Sequence, residues 1–280
     1  MSSEHEAAVA AWRSRREAAL RRPLGWLSLA GLAWLKPGPN RLGASPSSDI
    51  VLPAGPPLAG EMRLEGDRVI TTAASNTLRH DGQPAEQVVM RSDGDVDDDE
   101  EPTLLELGEL RMCIIRRGER HGLRVWDTNA PALRSFEGIP HFPVDRRWRL
   151  EAVLEPGTAR TIAVPDVLGD VEDEESLGTI AFEVGGATYR LETLPGGPSG
   201  ELWLIFADAT NGIETYGGGR FLYTDAPDAA GRLFVDFNMA YNPPCVFSPY
   251  ATCPLPWPAN RLPIRIEAGE LMYRAGTSHS

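Results

Sequence analysis

Short runs rich in β-forming residues, each ended by turn residues, dominate the chain from residue 38 onward. Their spacing of about 8–12 residues is typical of antiparallel sandwiches and barrels. Gly185-Gly186 stands between two runs, and a tight hairpin turn needs the positive φ that glycine adopts. The pattern predicts a mainly β fold. The candidate strands are Gly38–Leu42, Ile50–Leu52, Glu61–Leu64, Arg68–Thr72, Gln87–Met90, Thr103–Leu107, Leu110–Arg116, His121–Asp127, Trp148–Leu154, Arg160–Pro165, Gly178–Val184, Ala187–Leu194, Leu202–Ala207, Arg220–Tyr223, Leu233–Asp236 and Leu262–Glu267.

The first residues have a different pattern. Residues 4–22 place apolar side chains at helical spacing, and Pro23 ends the run, so an amphipathic helix is predicted there. Its arginines either dock on the protein's own acidic body or meet an acidic partner. We divide the chain into an N-terminal helix (1–23), a β-sandwich (24–128), a proline-containing linker (129–146), an antiparallel β-barrel-like domain (147–274) and a tail (275–280).

Composition excludes several classes of protein. The 280 residues carry a formal net charge of −13, which disfavours nucleic acid as a partner. No apolar run reaches the roughly 18 residues of a membrane span, so no membrane partner is expected. Three cysteines and no secretory signal at the N-terminus indicate reduced thiols and a cytoplasmic location. The oligomeric state cannot be derived from the sequence.

The segment from Asp236 to Pro263 has the features of a functional site. Its seven prolines fix φ and remove backbone donors, so it should form a rigid loop. Polar groups are dense within it. We predict that Asn238, Tyr241 and Asn242 bind a ligand there, with Asp236 as an acid or base.

The preceding segment, Asp208 to Phe221, adds further candidates. Arg220 follows three glycines and can hold a carboxylate bidentately, either that of Asp236 in a structural pair or that of a ligand. Glu214 is a second carboxylate for acid–base catalysis, and Tyr216 is a candidate ligand contact. We predict that Arg220 and the Asp236–Asn242 residues share one pocket in the second β unit.

Cys245 is a candidate nucleophile, although a buried and inert thiol is the alternative interpretation. The loop that holds Cys245 and Cys253 lacks the further ligands of a zinc site. The acidic run at Asp93–Glu101 lacks the glycine and final glutamate of a calcium loop. We therefore predict neither a metal nor a cofactor.

Two resemblances extend these predictions. Asn40–Pro53, His80–Pro84 and Leu104–Ile115 resemble the opening and closing strands of forkhead-associated (FHA-like) domains, which are β-sandwiches that bind phosphothreonine peptides. Ala44 stands where those domains usually have arginine, and the serine–histidine pattern is missing after Leu52. The resemblance implies the sandwich without phosphopeptide binding, because a phosphate needs charge-assisted donors.

The second resemblance covers Gly25 to Glu270. The chain resembles a bacterial family catalogued as domain of unknown function 1684. The motifs that carry the resemblance are GWLSLAGLAWL, IIRRGERHGLRVWD, FPVD, IFADATNGIETYGGGRFLY and DFNMAYNPPCVFSPYATCPLPWPANRLP. It implies a shared fold and no particular activity.

Two functions follow from the residues. The first is an enzyme, hydrolase- or lyase-like, that acts on a small anionic or polar substrate in the C-terminal β domain. The second is a non-catalytic module for small-ligand binding or protein interaction. The polar proline-fixed loop fits both, and carboxylate pairs with separated pKa values would favour catalysis.

Overall fold

The computed structural model describes residues 2–97, 100–155, 157 and 160–274. These residues form a mainly β protein with one long helix, α1 (Ser2–Leu20), as the sequence predicts. The chain divides into two compact units. We call Leu20–Ser135 the N-terminal β unit, and Met1–Ala19 together with Phe136–Ser280 the C-terminal unit. The predicted tail, 275–280, lies outside the described residues.

The N-terminal β unit contains two sheets, and antiparallel pairing joins all of their described strands except β2 and β3, which are parallel. One sheet has the order β1-β11-β10-β9-β6-β7 and the other β3-β2-β4-β5-β8. The elements are β1 (Leu29–Trp34), β2 (Gly38–Gly43), β3 (Ile50–Val51), β4 (Gly60–Glu65), β5 (Arg68–Ala73), β6 (Arg79–His80), β7 (Gln83–Pro84), β8 (Val88–Met90), β9 (Leu105–Leu107), β10 (Leu110–Arg117), β11 (Arg120–Asp127) and α2 (Pro131–Ser135).

Apolar residues from both sheets form the core of this unit. Met62 and Val69 of one sheet pack in the same buried cluster as Met112 and Leu123 of the other. Strand alternation explains this arrangement, because every second residue of each strand points to the same face. The two sheets therefore pack as layers around one core.

The C-terminal unit contains an antiparallel sheet of the order β18-β17-β16-β15-β12-β19 and a separate hairpin of β13 and β14. Its strands are β12 (Arg149–Glu155), β13 (Arg160–Pro165), β14 (Val171–Ser176), β15 (Gly178–Val184), β16 (Ala187–Pro195), β17 (Leu202–Phe206), β18 (Arg220–Tyr223) and β19 (Arg232–Asp236).

The core of the C-terminal unit contains apolar side chains from all six strands of this sheet. Phe182, Phe206 and Phe237 pack edge-to-face there with ring centroids 5.3 to 5.6 Å apart. Gly185 and Gly186 both have positive φ, 61° and 81°, in the turn between β15 and β16. The predicted glycine hairpin is confirmed.

The structure differs from the predicted strands in both directions, and β1, β6 and β7 are also absent from the prediction. Leu262–Glu267 is predicted as a strand, but no strand is assigned to that range. Isolated hydrogen bonds hold it, including Leu262 N to Ala207 O at 2.8 Å. The acidic strand β14, which pairs with β13 through Glu174 and Ile162, is absent from the predicted strands.

Candidate functional site

Arg220 begins β18 and is fully buried. Its Nη2 donates to Oδ2 of Asp208 at 2.6 Å and to the carbonyl oxygen of Ile266 at 3.0 Å. Its Nη1 donates to the carbonyl oxygen of Ala268. The carboxylate expected opposite Arg220, that of Asp236 or of a ligand, is therefore that of Asp208. Burial lowers the pKa of Arg220, and the Asp208 charge acts in the opposite direction.

Local backbone geometry allows this ion pair to form. Oδ1 of Asp208 accepts from the backbone N and the Oγ1 of Thr210, at 2.8 and 2.7 Å. Gly219, the last of the three glycines, has a φ of +94°, and a Cβ there would lie 2.4 Å from Cγ of Pro256. Only glycine fits that position without a shift of its neighbours.

Asp236 binds the long helix. Its Oδ2 lies 2.6 Å from Nε2 of His5, and both side chains are mostly buried. Its Oδ1 accepts from the backbone N of Asn238 at 3.1 Å and from Nδ2 at 2.8 Å. The Asn238 side chain also holds the backbone of Asp145 through two hydrogen bonds of 2.9 Å. Asp236 and Asn238 are thus brought together.

Arg16 of α1 contacts residues of the segment from Asp236 to Pro263, and it also contacts Glu270. Its Nε lies 3.3 Å from Oε1 of Glu270, and its Nη2 donates to the carbonyl oxygen of Asn242 at 2.9 Å. The guanidinium stands 4.7 Å from the centroid of the Tyr241 ring and 5.6 Å from that of Phe247. The prediction that the helix arginines dock on the protein's own acidic body is confirmed for this residue.

Glu270 is fully buried at the centre of these contacts. Its Oε2 accepts from the backbone N of Asn242 at 2.7 Å, while Arg16 binds the other oxygen. Burial raises the pKa of Glu270, and the charge of Arg16 opposes that shift. Gly269 precedes it with a φ of +82°, and a Cβ there would approach the carbonyl oxygen of Ala240 to 2.5 Å.

The chain segment around His141 pairs with the segment around Glu270. His141 forms an isolated antiparallel bridge with Glu270, and Phe142 N donates to Gly269 O at 2.9 Å. Arg13 of α1 donates through Nη2 to the carbonyl oxygen of Phe142 at 3.0 Å. Burial, and then the charge of Arg13, lower the pKa of His141 to about 4.

We call Arg13, Arg16, His141, Tyr241, Asn242 and Glu270 the Arg16–Glu270 cluster. Three of its buried polar atoms have no hydrogen-bond partner among the residues that the structure describes: Nε of Arg13, Nε2 of His141 and Oδ1 of Asn242. Asn242 itself is completely buried. Unpaired buried polar groups are rare in proteins, and they often mark the place of a water, ion or ligand.

Cys245 lies in a short 3₁₀ turn, Pro244–Val246, and contacts two other candidate groups. Its Sγ lies 3.5 Å from the hydroxyl of Tyr216, and its backbone N donates to Sγ of Cys253 at 3.1 Å. Hydrogen bonding with Cys253, and then with Tyr216, lowers the pKa of Cys245 to about 7. Burial, followed by the hydrogen bond with Cys245, raises the pKa of Tyr216.

Glu214, the third predicted catalytic residue, is half-exposed and ion-pairs with Arg265. Its partners differ from those of Asp236 and Cys245. The predicted ligand-binding residues Tyr241 and Asn242 lie in one cluster, and the predicted ligand-binding residue Tyr216 contacts the predicted nucleophile Cys245. The charge of Glu270 raises the pKa of Arg220. The hydrogen bonds of Arg220, however, go to Asp208 and to backbone carbonyls.

A groove with a volume of about 900 Å³ lies elsewhere in the C-terminal unit. It runs along β12, β15 and β19 and is lined in part by Val153, Phe234 and Asp228. None of the sequence-predicted site residues is among its described lining residues. Within the described chain, no group of three or more His, Cys, Asp or Glu residues is arranged to hold a metal ion.

Residues 134–271 match the family model described as "Protein of unknown function (DUF1684)". The chain belongs to the DUF1684 family through this segment. An uncharacterised protein from Haloarcula marismortui, solved by solution NMR, is 30% identical; the match covers 50% of this chain and 80% of that one, with a TM-score of 0.42. No curated protein matches.

All of the sequence-predicted site residues lie within the DUF1684 segment, from Glu214 to Cys245. Arg13 and Arg16 lie outside it, so a helix beyond the matched residues completes the Arg16–Glu270 cluster. The forkhead-associated resemblance of residues 24–128 stays a prediction. Neither helix in the described part of the chain combines the length and apolar character that a membrane crossing requires.

Glu270 and His141 are not among the sequence-predicted site residues. Glu270 is a single glutamate near the C-terminus without a local motif, and only the pairing of distant segments buries it. The FPVD motif next to His141 is the one nearby signal, and it does not identify the histidine.

Proposed function

We propose that the C-terminal unit binds a small anionic or polar molecule, such as a carboxylate or a phosphate monoester, at the Arg16–Glu270 cluster. The observation that carries this proposal is the incomplete pairing of Arg13. A guanidinium has five N–H donors, yet the Nε of Arg13 is buried without a partner among the described residues. Burial also lowers the pKa of Arg13, which reflects the lost hydration of its charge. A bound anion would compensate for that loss.

The charge balance of the cluster supports an anion rather than a cation. Arg13 and Arg16 bring two positive charges, and Glu270 brings one negative charge. Asp208 compensates for the nearby charge of Arg220 through their own ion pair. His141 stays neutral at pH 7, because its pKa is about 4. One positive charge is left in excess, and arginine suits the bidentate binding of carboxylates and phosphates.

Shape and polarity give further support. The Tyr241 and Phe247 rings flank the Arg16 guanidinium, which stiffens that side of the cluster. The side chain of Arg16 is 14% exposed, so solvent reaches the edge of the cluster. His141 Nε2 and Asn242 Oδ1 would contribute a donor or acceptor to the polar remainder of the ligand.

A thermal-shift panel tests the proposal. The full chain is heated with acetate, succinate, citrate, inorganic phosphate or glycerol phosphate, and any hit is titrated by calorimetry. We expect stabilisation by at least one anion that rises with the logarithm of its concentration and reaches about 2.7 kcal/mol at a hundredfold excess over Kd. Arg13→Gln should abolish the effect, because it removes the charge that lacks a full set of partners.

Arg15→Gln is the matched control, because Arg15 is exposed on the same helix. It should bind the anion as the wild type does. Equal binding by the wild type and Arg13→Gln would place the anion elsewhere. A panel in which no anion raises the melting temperature, or no hit gives a saturable calorimetric titration, would contradict small-anion binding altogether.

Catalysis at the same cluster, by a hydrolase- or lyase-like enzyme, is the second candidate function. The observation that favours it is a pair of titratable groups with opposite shifts, since the pKa of Glu270 is raised and that of His141 is lowered. A neutral imidazole with an unpaired Nε2 can accept a proton from a substrate. Turnover of nitrophenyl esters or phosphates that is lost in His141→Gln would support catalysis, and equal turnover in the variant would exclude this role.

The remaining parts of the proposal follow from the sequence. The net charge of −13 argues against a nucleic-acid partner. The small number of cysteines supports a cytoplasmic location.

A further inference from the structure

Two cysteines are held side by side in the segment from Asp236 to Pro263, and neither is among the groups proposed to bind an anion. Cys253 Sγ accepts a hydrogen bond from the backbone N of Cys245 at 3.1 Å. The two thiols also hydrogen-bond each other, and no disulfide joins them. Pro243, Pro244 and Pro254 flank the two positions and restrict the backbone on either side. The contact is therefore a fixed feature of the loop.

The two thiols differ in accessibility and in ionisation. Cys245 is half-buried, whereas Cys253 is 3% exposed. The pKa of Cys245, about 7, leaves much of this thiol as thiolate at neutral pH. The third cysteine, Cys113, is buried in the N-terminal β unit, and burial raises its pKa to about 12. Cys245 is thus suited to attack an external molecule, and Cys253 is suited to a following reaction with Cys245. Cys113 is suited to neither reaction.

Tyr216 adds a proton donor beside the more accessible sulfur. Its hydroxyl lies 3.5 Å from Sγ of Cys245, and its pKa is raised, so the phenol keeps its proton while the thiol ionises. A phenol in that position can stabilise a thiolate by a hydrogen bond. It can also donate a proton to the oxygen of a leaving group when the thiolate sulfur attacks. The half-buried position of Cys245 favours a small electrophile.

We propose that Cys245 is a site of oxidation by hydroperoxides and that Cys253 resolves the product into an intramolecular disulfide. In the first step the thiolate sulfur attacks a peroxide oxygen, an S–O bond forms, and the O–O bond breaks. The leaving hydroxide or alkoxide takes up a proton, and Cys245 becomes a sulfenic acid. In the second step the sulfur of Cys253 attacks that of Cys245, the S–S bond forms, and water leaves with the Cys253 proton. One peroxide is reduced while two thiols are oxidised.

In the test, the protein is treated with hydrogen peroxide. The oxidation state of each cysteine is then followed by mass spectrometry of non-reduced peptides. We expect a disulfide between Cys245 and Cys253 that a dithiol reductant reverses, while Cys113 keeps its thiol. The oxidation rate should rise with pH and reach its midpoint near the pKa of Cys245, about 7. Cys113→Ala should leave this disulfide unchanged.

Two variants separate the steps. Cys253→Ser should stop at the sulfenic acid, which dimedone traps at Cys245. Tyr216→Phe should slow the first step by at least about threefold at pH 7, because it removes one of the hydrogen bonds that favour the thiolate. Circular dichroism establishes that each variant is folded.

Three results would overturn the proposal. The first is oxidation of Cys245 to sulfinic acid in the wild type without the disulfide. The second is reaction of Cys245 no faster than that of Cys113. The third is a disulfide that joins two molecules rather than two residues of one chain. The anion-binding variant Arg13→Gln should form the disulfide normally, so failure of one proposal leaves the other standing.

Discussion

Replacing Arg220 by methionine should unfold the C-terminal unit far more readily than replacing any exposed arginine. The guanidinium is completely buried, and it binds Asp208 at 2.6 Å and the backbone carbonyls of Ile266 and Ala268. Methionine would fill much of the volume beside Phe206, whose ring centroid lies 5.3 Å from the guanidinium carbon. It would leave the Asp208 carboxylate buried without a counter-charge.

The expected loss follows from these contacts. Removing one partner of a buried ion pair costs about 3–5 kcal/mol, because the other charge stays buried and unpaired. We therefore expect Arg220→Met to lower the free energy of unfolding by about 4 kcal/mol. Combining it with Asp208→Asn should cost less than the sum of the two single changes, by about 1–3 kcal/mol, because the residues contact each other.

Urea unfolding followed by circular dichroism measures these changes. Arg265→Met is the control, because Arg265 pairs with Glu214 and Glu267 at the surface. It should leave the free energy of unfolding almost unchanged. A loss below about 1 kcal/mol in Arg220→Met, together with weakened anion binding, would refute the structural role and make Arg220 a ligand-binding residue.

Two further predictions concern single positions of the C-terminal unit. The pKa of His141, about 4 in the fold against 6.5 as the usual value, means that the unfolded chain takes up the proton first as pH falls, so stability is lost below pH 6.5. From pH 7 to pH 5 this residue should lower the free energy of unfolding by about 2 kcal/mol, and an unchanged difference between the wild type and His141→Gln in urea titrations at both pH values would contradict it. Gly219→Ala should cost about 2 kcal/mol or more, because its Cβ would meet Pro256 at 2.4 Å. Gly212→Ala has a similar φ of +79° but open space within 4 Å, so it should cost only about 1 kcal/mol, and equal melting temperatures for the two variants would refute the role of the contact.

Local patterns were sufficient to predict the helix and most strands. Alternation and turn glycines act over a few residues, and the Gly185-Gly186 hairpin formed as those rules require. The acidic strand β14 was missed because its charged residues, such as Glu172 and Glu174, replace the usual apolar alternation. Leu262–Glu267 has β-forming residues, yet Arg220 takes the carbonyl of Ile266, which a strand would offer to a neighbour.

The site was less predictable because its contacts join distant parts of the chain. The sequence marked Tyr241 and Asn242 as polar residues in a rigid loop, and the structure places both beside Arg16. An arginine on an amphipathic helix carries no signal of its partner, and neither does Glu270, whose pairing with Arg16 spans 254 positions. Only the folded chain shows that these residues meet.

The most direct test of anion binding is a crystal structure grown with the anion that gives the largest thermal shift. The account predicts electron density for that anion within hydrogen-bond distance of Arg13 Nε, next to His141 and Asn242. Ordered waters alone at this position, with the anion absent or bound at the surface, would contradict it.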